Sequence, residues 1–398
     1  MVAAATLATL VVAGLASLFM AWAIGAGSSG STPFAPAVGA NAISVMRAGL
    51  VVGVLGLLGA VLQGANVTEA VGTALIDGVT ITATAAIVGL LTAAALVAIG
   101  VFAGYPIATA FTVTGAVVGV GLALGGTPAW GKYREIVALW VAVPFVGGGV
   151  AYATARLLRD DRVPEPVAVP ALGGLVAAIV VNIGFSVLGT GGESASIAEA
   201  LGGRLGLGSV GPVPTGVVLV TLAAVALVTG ALRYEMGYDE AGGQRHLLLA
   251  LGALVAFSAG GSQVGLAIGP LVPLLDSGLS IPLTAVLVGG GLGLLAGSWT
   301  GAPRMIKALA QDYSSLGPRR SIAALIPSFI IAQTAVALGV PVSFNEIIVS
   351  AIIGSGYAAG GAGVSTRKMV YTVLAWVGSL VLALGLGYGL FTAVDAVI

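Results

Sequence analysis

Cysteine is absent, which rules out disulfides, thiolate metal sites and a cysteine nucleophile, and leaves the redox compartment unreadable. Charge is nearly as scarce. Only 8% of the 398 residues are charged, against roughly 25% in an ordinary soluble domain. The 15 basic residues are matched by 15 acidic ones, so there is no electrostatic surplus to attract nucleic acid. Histidine occurs once, as His246 beside Arg245 in what reads as a solvated loop. No GxxxxGK[ST] phosphate loop, no nucleophile beside a base and no metal-ligand cluster stands out. The sequence therefore offers no catalytic residues, no metal site, no resident cofactor and no means of hydrolysing ATP, and an enzyme is not expected.

What fills the chain instead is apolar. Hydrophobic residues make up 58% of it and the mean hydropathy is +1.11, more apolar surface than a soluble fold could hide. Short alternating segments of the membrane-barrel type are missing, so the spans must be helical. The expected class is an all-α polytopic membrane protein of about 10–12 transmembrane helices and re-entrant half-helices, in two inverted repeats. Glycine, at 63 residues, suits close helix approach and broken helices in lipid. The first apolar stretch, Val2 to Ile24, lacks a basic leader region and is expected to be a retained helix. A multi-pass protein of the cell (plasma) membrane follows.

Four apolar stretches are interrupted by proline, glycine and small polar residues: 34–45, 105–121, 257–269 and 340–356. Irregular backbone survives at membrane depth only where protein or a water-filled cavity satisfies its polar groups. These segments are therefore expected to be half-helices or re-entrant hairpins around one central site. Two of them align directly, Pro106 with Pro341, Ala116 with Ala351, Gly119 with Gly354 and Gly121 with Gly356. A weaker match sets Gly39-Ala40-Asn41 against Gly260-Gly261-Ser262. The chain divides accordingly into a first repeat (1–160, with interruptions 34–45 and 105–121), connecting helices and loops (161–244), and a second repeat (245–398, with interruptions 257–269 and 340–356). Arg304, Lys307, Arg319 and Arg320 share one loop, which the positive-inside rule places on the cytoplasmic side.

Helix N-termini together with neutral hydroxyl and amide donors can hold an anion inside a membrane. Asn41, Ser44, Thr109, Thr112, Ser262, Gln263, Ser343 and Asn345 lie in the interrupted segments and are the candidate ligands. The competing reading is that the hydroxyls bond their own backbone. An isolated carboxylate in a membrane segment is costly and marks function. Glu346, between Asn345 and an Ile-Ile-Val run, can bind a coupling cation, carry a proton or pair with an arginine at the interface. Glu69 is either a second coupling carboxylate or a helix-capping acid. Arg47 either approaches an anion or snorkels from a helix end.

Two longer patterns carry a family resemblance. GAVLQGANVTEAV, with Gly59, Gly64, Thr68 and Glu69, and the stretch from Gly289 through Gly297, Gly301, Arg304, Pro318 and Arg320 to Gly339-Val340-Pro341-Val342-Ser343 resemble the two halves of the inorganic phosphate transporter (PiT) family. The resemblance implies an ion-coupled secondary transporter of phosphate that works by alternating access and assembles as a homodimer in the lipid bilayer. The departures fall on the family's signatures. Its GANDVANA-like repeat reads Gly39-Ala40-Asn41-Ala42 in one half and Gly260-Gly261-Ser262-Gln263 in the other, so Ala42 and Gln263 stand at the acidic positions. Both histidines of its PVSTTH-like segments are replaced, one of them by Glu346. A sodium site would then need neutral oxygens with Glu346 or Glu69, because hard cations want oxygen ligands. A proton as coupling ion, sulfate or another oxyanion as substrate, and a non-transporting role as channel, receptor or subunit stay open.

Overall fold

The computed structural model describes residues 4–185, 188–189, 194–210, 212–275, 281–361 and 364–397. Its α-helices fall into three groups. The first holds α1 (Ala4–Gly27), α2 (Ala35–Gly39), α3 (Val45–Gln63), α4 (Ala65–Thr73), α5 (Ala83–Ala103), α6 (Thr109–Ala123) and α7 (Trp130–Leu157). The second holds α8 (Glu165–Val181), α9 (Ile197–Gly202) and α10 (Thr215–Tyr238). The third holds α11 (Glu240–Ile268), α12 (Val272–Leu275), α13 (Leu283–Thr300), α14 (Ala302–Gln311), α15 (Pro318–Leu338), α16 (Phe344–Tyr357) and α17 (Thr366–Asp395). Among the described residues, nine helical spans are long and apolar enough to cross a membrane, and α6, α8 and α16 are shorter apolar helices.

Packing repeats with the labels. α1 packs on α5 and α13 as α11 packs on α15 and α3; α6 lies against α17 as α16 lies against α7. Direction settles how the copies are related. Along the α3–α13 contact Gly53 faces Trp299, Gly291 faces Leu57 and Gly64 faces Leu287, so numbers rise on one helix while they fall on the other. α13 runs parallel to α1, with Gly293 against Ala21 and Gly301 against Ala26, and α3 runs parallel to α11, with Gly56 against Gly260 and Gly64 against Val264. The copies of each helix therefore point in opposite directions, which is the inverted repeat.

Sequence and structure agree on three of the four interruptions and differ on the fourth. α5 and α15 both end on a left-handed glycine, Gly104 (φ 73°) and Gly339 (φ 59°). In each case the next N–H returns to a carbonyl of the last turn, Tyr105 to Gly100 and Val340 to Ala335, both at 3.0 Å, a Schellman ending. Pro106 and Pro341 then bar further helix, so the chain crosses the core extended before α6 and α16 begin. Segment 34–45 is short α2 and turns, with Asn41 at φ 57°. Segment 257–269, expected to break, instead continues α11 unbroken to Ile268. Its glycines are contact points: a Cβ on Gly260 would lie 1.9 Å from the Gly56 oxygen, and one on Gly59 would lie 1.8 Å from the Phe257 oxygen. Glycine here lets two backbones touch.

His246 is a second correction. It lies near the start of α11, exposed, and pairs with Glu235 of α10. The helix begins there because the Asp239 carboxylate accepts the Gly242 N–H at 2.9 Å, an N-cap. The second group of helices is tied to the third by buried Glu165, whose carboxylate accepts from Gln244 and pairs with Arg319.

Candidate functional site

α6 and α16 begin beside one another at the centre of the bundle. The turn before each is pinned by a tryptophan of the opposite copy. Trp376 of α17 donates to the Pro106 oxygen at 2.8 Å, and Trp140 of α7 donates to the Pro341 oxygen at 3.0 Å. The two indoles occupy equivalent places, so the half-helix starts are cross-braced. Both starts carry the partial positive charge of a helix N-terminus.

Gln263, on α11, is the hub of the bundle's interior. Its Oε1 accepts from Thr109 Oγ1 at 2.7 Å and from Ser28 Oγ at 3.2 Å, while its Nε2 donates to the Val342 oxygen at 2.6 Å. Asn345, in the first turn of α16, donates through Nδ2 to the Gly27 oxygen at 2.9 Å and the Ile107 oxygen at 2.7 Å. With two carbonyls fixing its amide, Asn345 Oδ1 points elsewhere and has no partner. Ser29 Oγ and Ser262 Oγ are also buried without a partner. Buried polar atoms are almost always paired, so the unpaired Asn345 Oδ1 beside this network, with unpaired hydroxyls on the residues next to Ser28 and Gln263, marks a place built for something polar.

This buried polar cluster, called the chamber, does not take in every predicted ligand. Thr109, Gln263 and Asn345 meet there, and Ser262 is adjacent on α11. Ser343 is buried as the N-cap of α16, accepting the Glu346 N–H at 3.5 Å, and Thr112 bonds its own helix at the Ala108 oxygen. Asn41 and Ser44 are exposed, outside the chamber, as is Arg47. Glu69 is exposed too and lines a separate cavity of about 820 Å³ with Gln63, Asn66 and Gln333. Gln333 closes the inner end of that cavity, donating to Ser258 Oγ at 2.6 Å, one helical turn before Ser262. Glu346 is buried but lines a groove on the other side of α16.

Ser28 and Ser29 were missed by the sequence reading. The signal was Gly25-Ala26-Gly27-Ser28-Ser29 at the end of α1, which mirrors Ala259-Gly260-Gly261-Ser262-Gln263 of α11. The structure puts Ser28 on Gln263, so this pair, rather than Gly39-Ala40-Asn41, is the first copy of the motif.

Inverted repeats with two half-helices starting at a shared buried chamber are the architecture of a secondary transporter. The family model "Phosphate transporter family" matches residues 24–387, and this chain belongs to that family. A Pyrococcus horikoshii protein provisionally named a phosphate permease is 27% identical over 380 residues, covering 90% of each chain. The chloroplastic inorganic phosphate transporter 2-1 of Arabidopsis thaliana is 26% identical, covering 91% of this chain and 68% of its own. The solved structure of a protein named the sodium-dependent phosphate transporter shares the fold, with a TM-score of 0.82 at 21% identity over 98% of this chain and all of that one.

Proposed function

We propose that this protein carries inorganic phosphate across the membrane by alternating access, holding it between Gln263, Thr109, Ser262 and Asn345 with Ser28 and Ser29. The observation that carries this reading is Asn345 Oδ1. It is a buried acceptor without a donor, and an acceptor suits an oxyanion that still carries a proton. Phosphate near neutral pH has such a P–OH group, whereas sulfate does not. Neutral donors and two helix N-termini supply the remaining attraction, and family membership favours the same substrate.

The domains we assign are 1–160 and 245–398 as the inverted repeats and 161–244 as the connection. Glu346, on half-helix α16, is our coupling residue as a proton carrier, because the groove it lines offers too few oxygens for a sodium ion; Glu69 guards the separate cavity of about 820 Å³. The sodium dependence for which the structurally similar transporter is named makes sodium a coupling ion to test beside the proton. A homodimer embedded in the lipid of the plasma membrane is the assembly we assign.

Liposomes containing the purified protein should take up labelled phosphate saturably, driven by an imposed sodium or proton gradient, and unlabelled sulfate should compete poorly. Equal competition by sulfate would remove the role given to Asn345. No uptake of either anion under any gradient would overturn the transport reading.

A further inference from the structure

Glu346 faces away from the chamber into a lateral groove of about 760 Å³ formed by α7, α16 and α17. The residue is 2% exposed and its Oε2 has no partner. Phe111, Trp140 and Trp376 line the groove at its inner end, and Tyr152 and Tyr357 line it at the exposed far end, about three helical turns along α16. The rings of Phe111 and Trp140 stack with centroids 3.8 Å apart. Phe145 and Val377, farther out, are 77% and 54% exposed, so the groove opens sideways where the helices face lipid.

We propose that this groove is a binding site for a bulky monovalent organic cation, with Glu346 as counter-charge and the aromatic faces as its cage. The choice of ligand follows by elimination. A hard cation such as sodium or calcium needs about six oxygens, and the side chains lining the groove offer only those of Glu346, Ser350, Tyr152 and Tyr357. An anion would meet a carboxylate with no lysine or arginine along the wall. A neutral apolar molecule would leave Glu346 Oε2 without a partner. A weakly hydrated cation gains both the carboxylate and the ring quadrupoles, and its apolar body fills the rest. Trp140 and Trp376 also hold the Pro341 and Pro106 carbonyls, so an occupant touches the braces of the chamber. The site does not depend on which anion the protein carries.

Equilibrium binding to the purified protein in nanodiscs tests it, using tetraphenylphosphonium and the size-matched anion tetraphenylborate. Wild type should bind the phosphonium saturably and ignore the borate. Glu346→Gln should weaken phosphonium binding at least tenfold, and Val373→Trp, which fills the groove from its rim, should do the same without touching the acid. Gln263→Ala, which disables the chamber, should leave phosphonium binding as it was, so failure here is distinguishable from failure of the transport reading. Equal binding of both probes, or binding indifferent to Glu346→Gln, would mean that a lipid chain fills the groove. That result, or no saturable phosphonium binding to folded wild type, overturns the proposal.

Discussion

The two copies of the central motif share a backbone plan and differ in chemistry. Gly27-Ser28-Ser29 ends α1, whereas Gly261-Ser262-Gln263 lies inside a helix that runs on to Ile268. Ala108-Thr109-Ala110-Phe111 opens α6 where Ser343-Phe344-Asn345-Glu346 opens α16. The first copy brings small hydroxyls and an aromatic ring; the second brings both amides and the acid. Symmetry therefore builds the chamber, and the second repeat supplies most of what recognises a ligand. Duplication fixes where two helix N-termini meet, but side chains at matched positions are free to diverge.

Breaking the second copy should have the largest effect. Gln263→Ala removes three hydrogen bonds at once and strands the buried Val342 oxygen. At about 1–3 kcal/mol for an unsatisfied buried group, phosphate uptake should fall by roughly ten- to a hundredfold in the liposome assay. Gln263→Ser, which turns the second copy into the first, should recover little of it. Asn345→Asp sharpens the comparison differently, since it keeps the shape while giving up the Nδ2 donation to the Gly27 and Ile107 oxygens. Uptake should fall less than in Gln263→Ala at low pH, where the acid is protonated and can donate, and further as pH rises; a flat pH profile would count against the role of those two bonds.

The braces come next. Trp140→Phe and Trp376→Phe each delete one hydrogen bond across the copies, and interhelical bonds in membranes average roughly 0.6 kcal/mol. Each variant should lose about threefold in uptake, and the two should match; a large inequality would show that the half-helices are not equivalent. Gly104→Ala and Gly339→Ala each force a side chain into the left-handed region, at a cost of about 1 kcal/mol. Gly339→Ala should melt lower, because its Cβ would also approach the Asn66 oxygen at 3.1 Å while Gly104 has open space. Smallest of all, Asn41→Ala and Ser44→Ala, exposed and outside the chamber, should leave uptake near wild type.

Much of the architecture was legible in the chain itself. Hydropathy marked the spans, and Pro106 with Pro341 marked the half-helix starts because proline acts locally, through its own ring and missing N–H. Gly260 and Gly261 misled for the opposite reason. Glycine in a membrane sequence signals either a break or a close contact, and only the approach of α3 decides between them. The match of Gly39-Ala40-Asn41 to the expected signature drew attention from Gly27-Ser28, whose role depends on a hydrogen bond to Gln263 across 235 positions.

By itself the sequence determined that the chain is a helical membrane protein with paired interruptions, since composition and proline chemistry need no partner to act. Tertiary structure alone decided that Gln263 rather than Asn41 is the hub and that Glu346 turns from the chamber to the groove. Those facts depend on which helices face one another, and adjacent residues on one helix point roughly 100° apart, so Asn345 and Glu346 can serve two different sites.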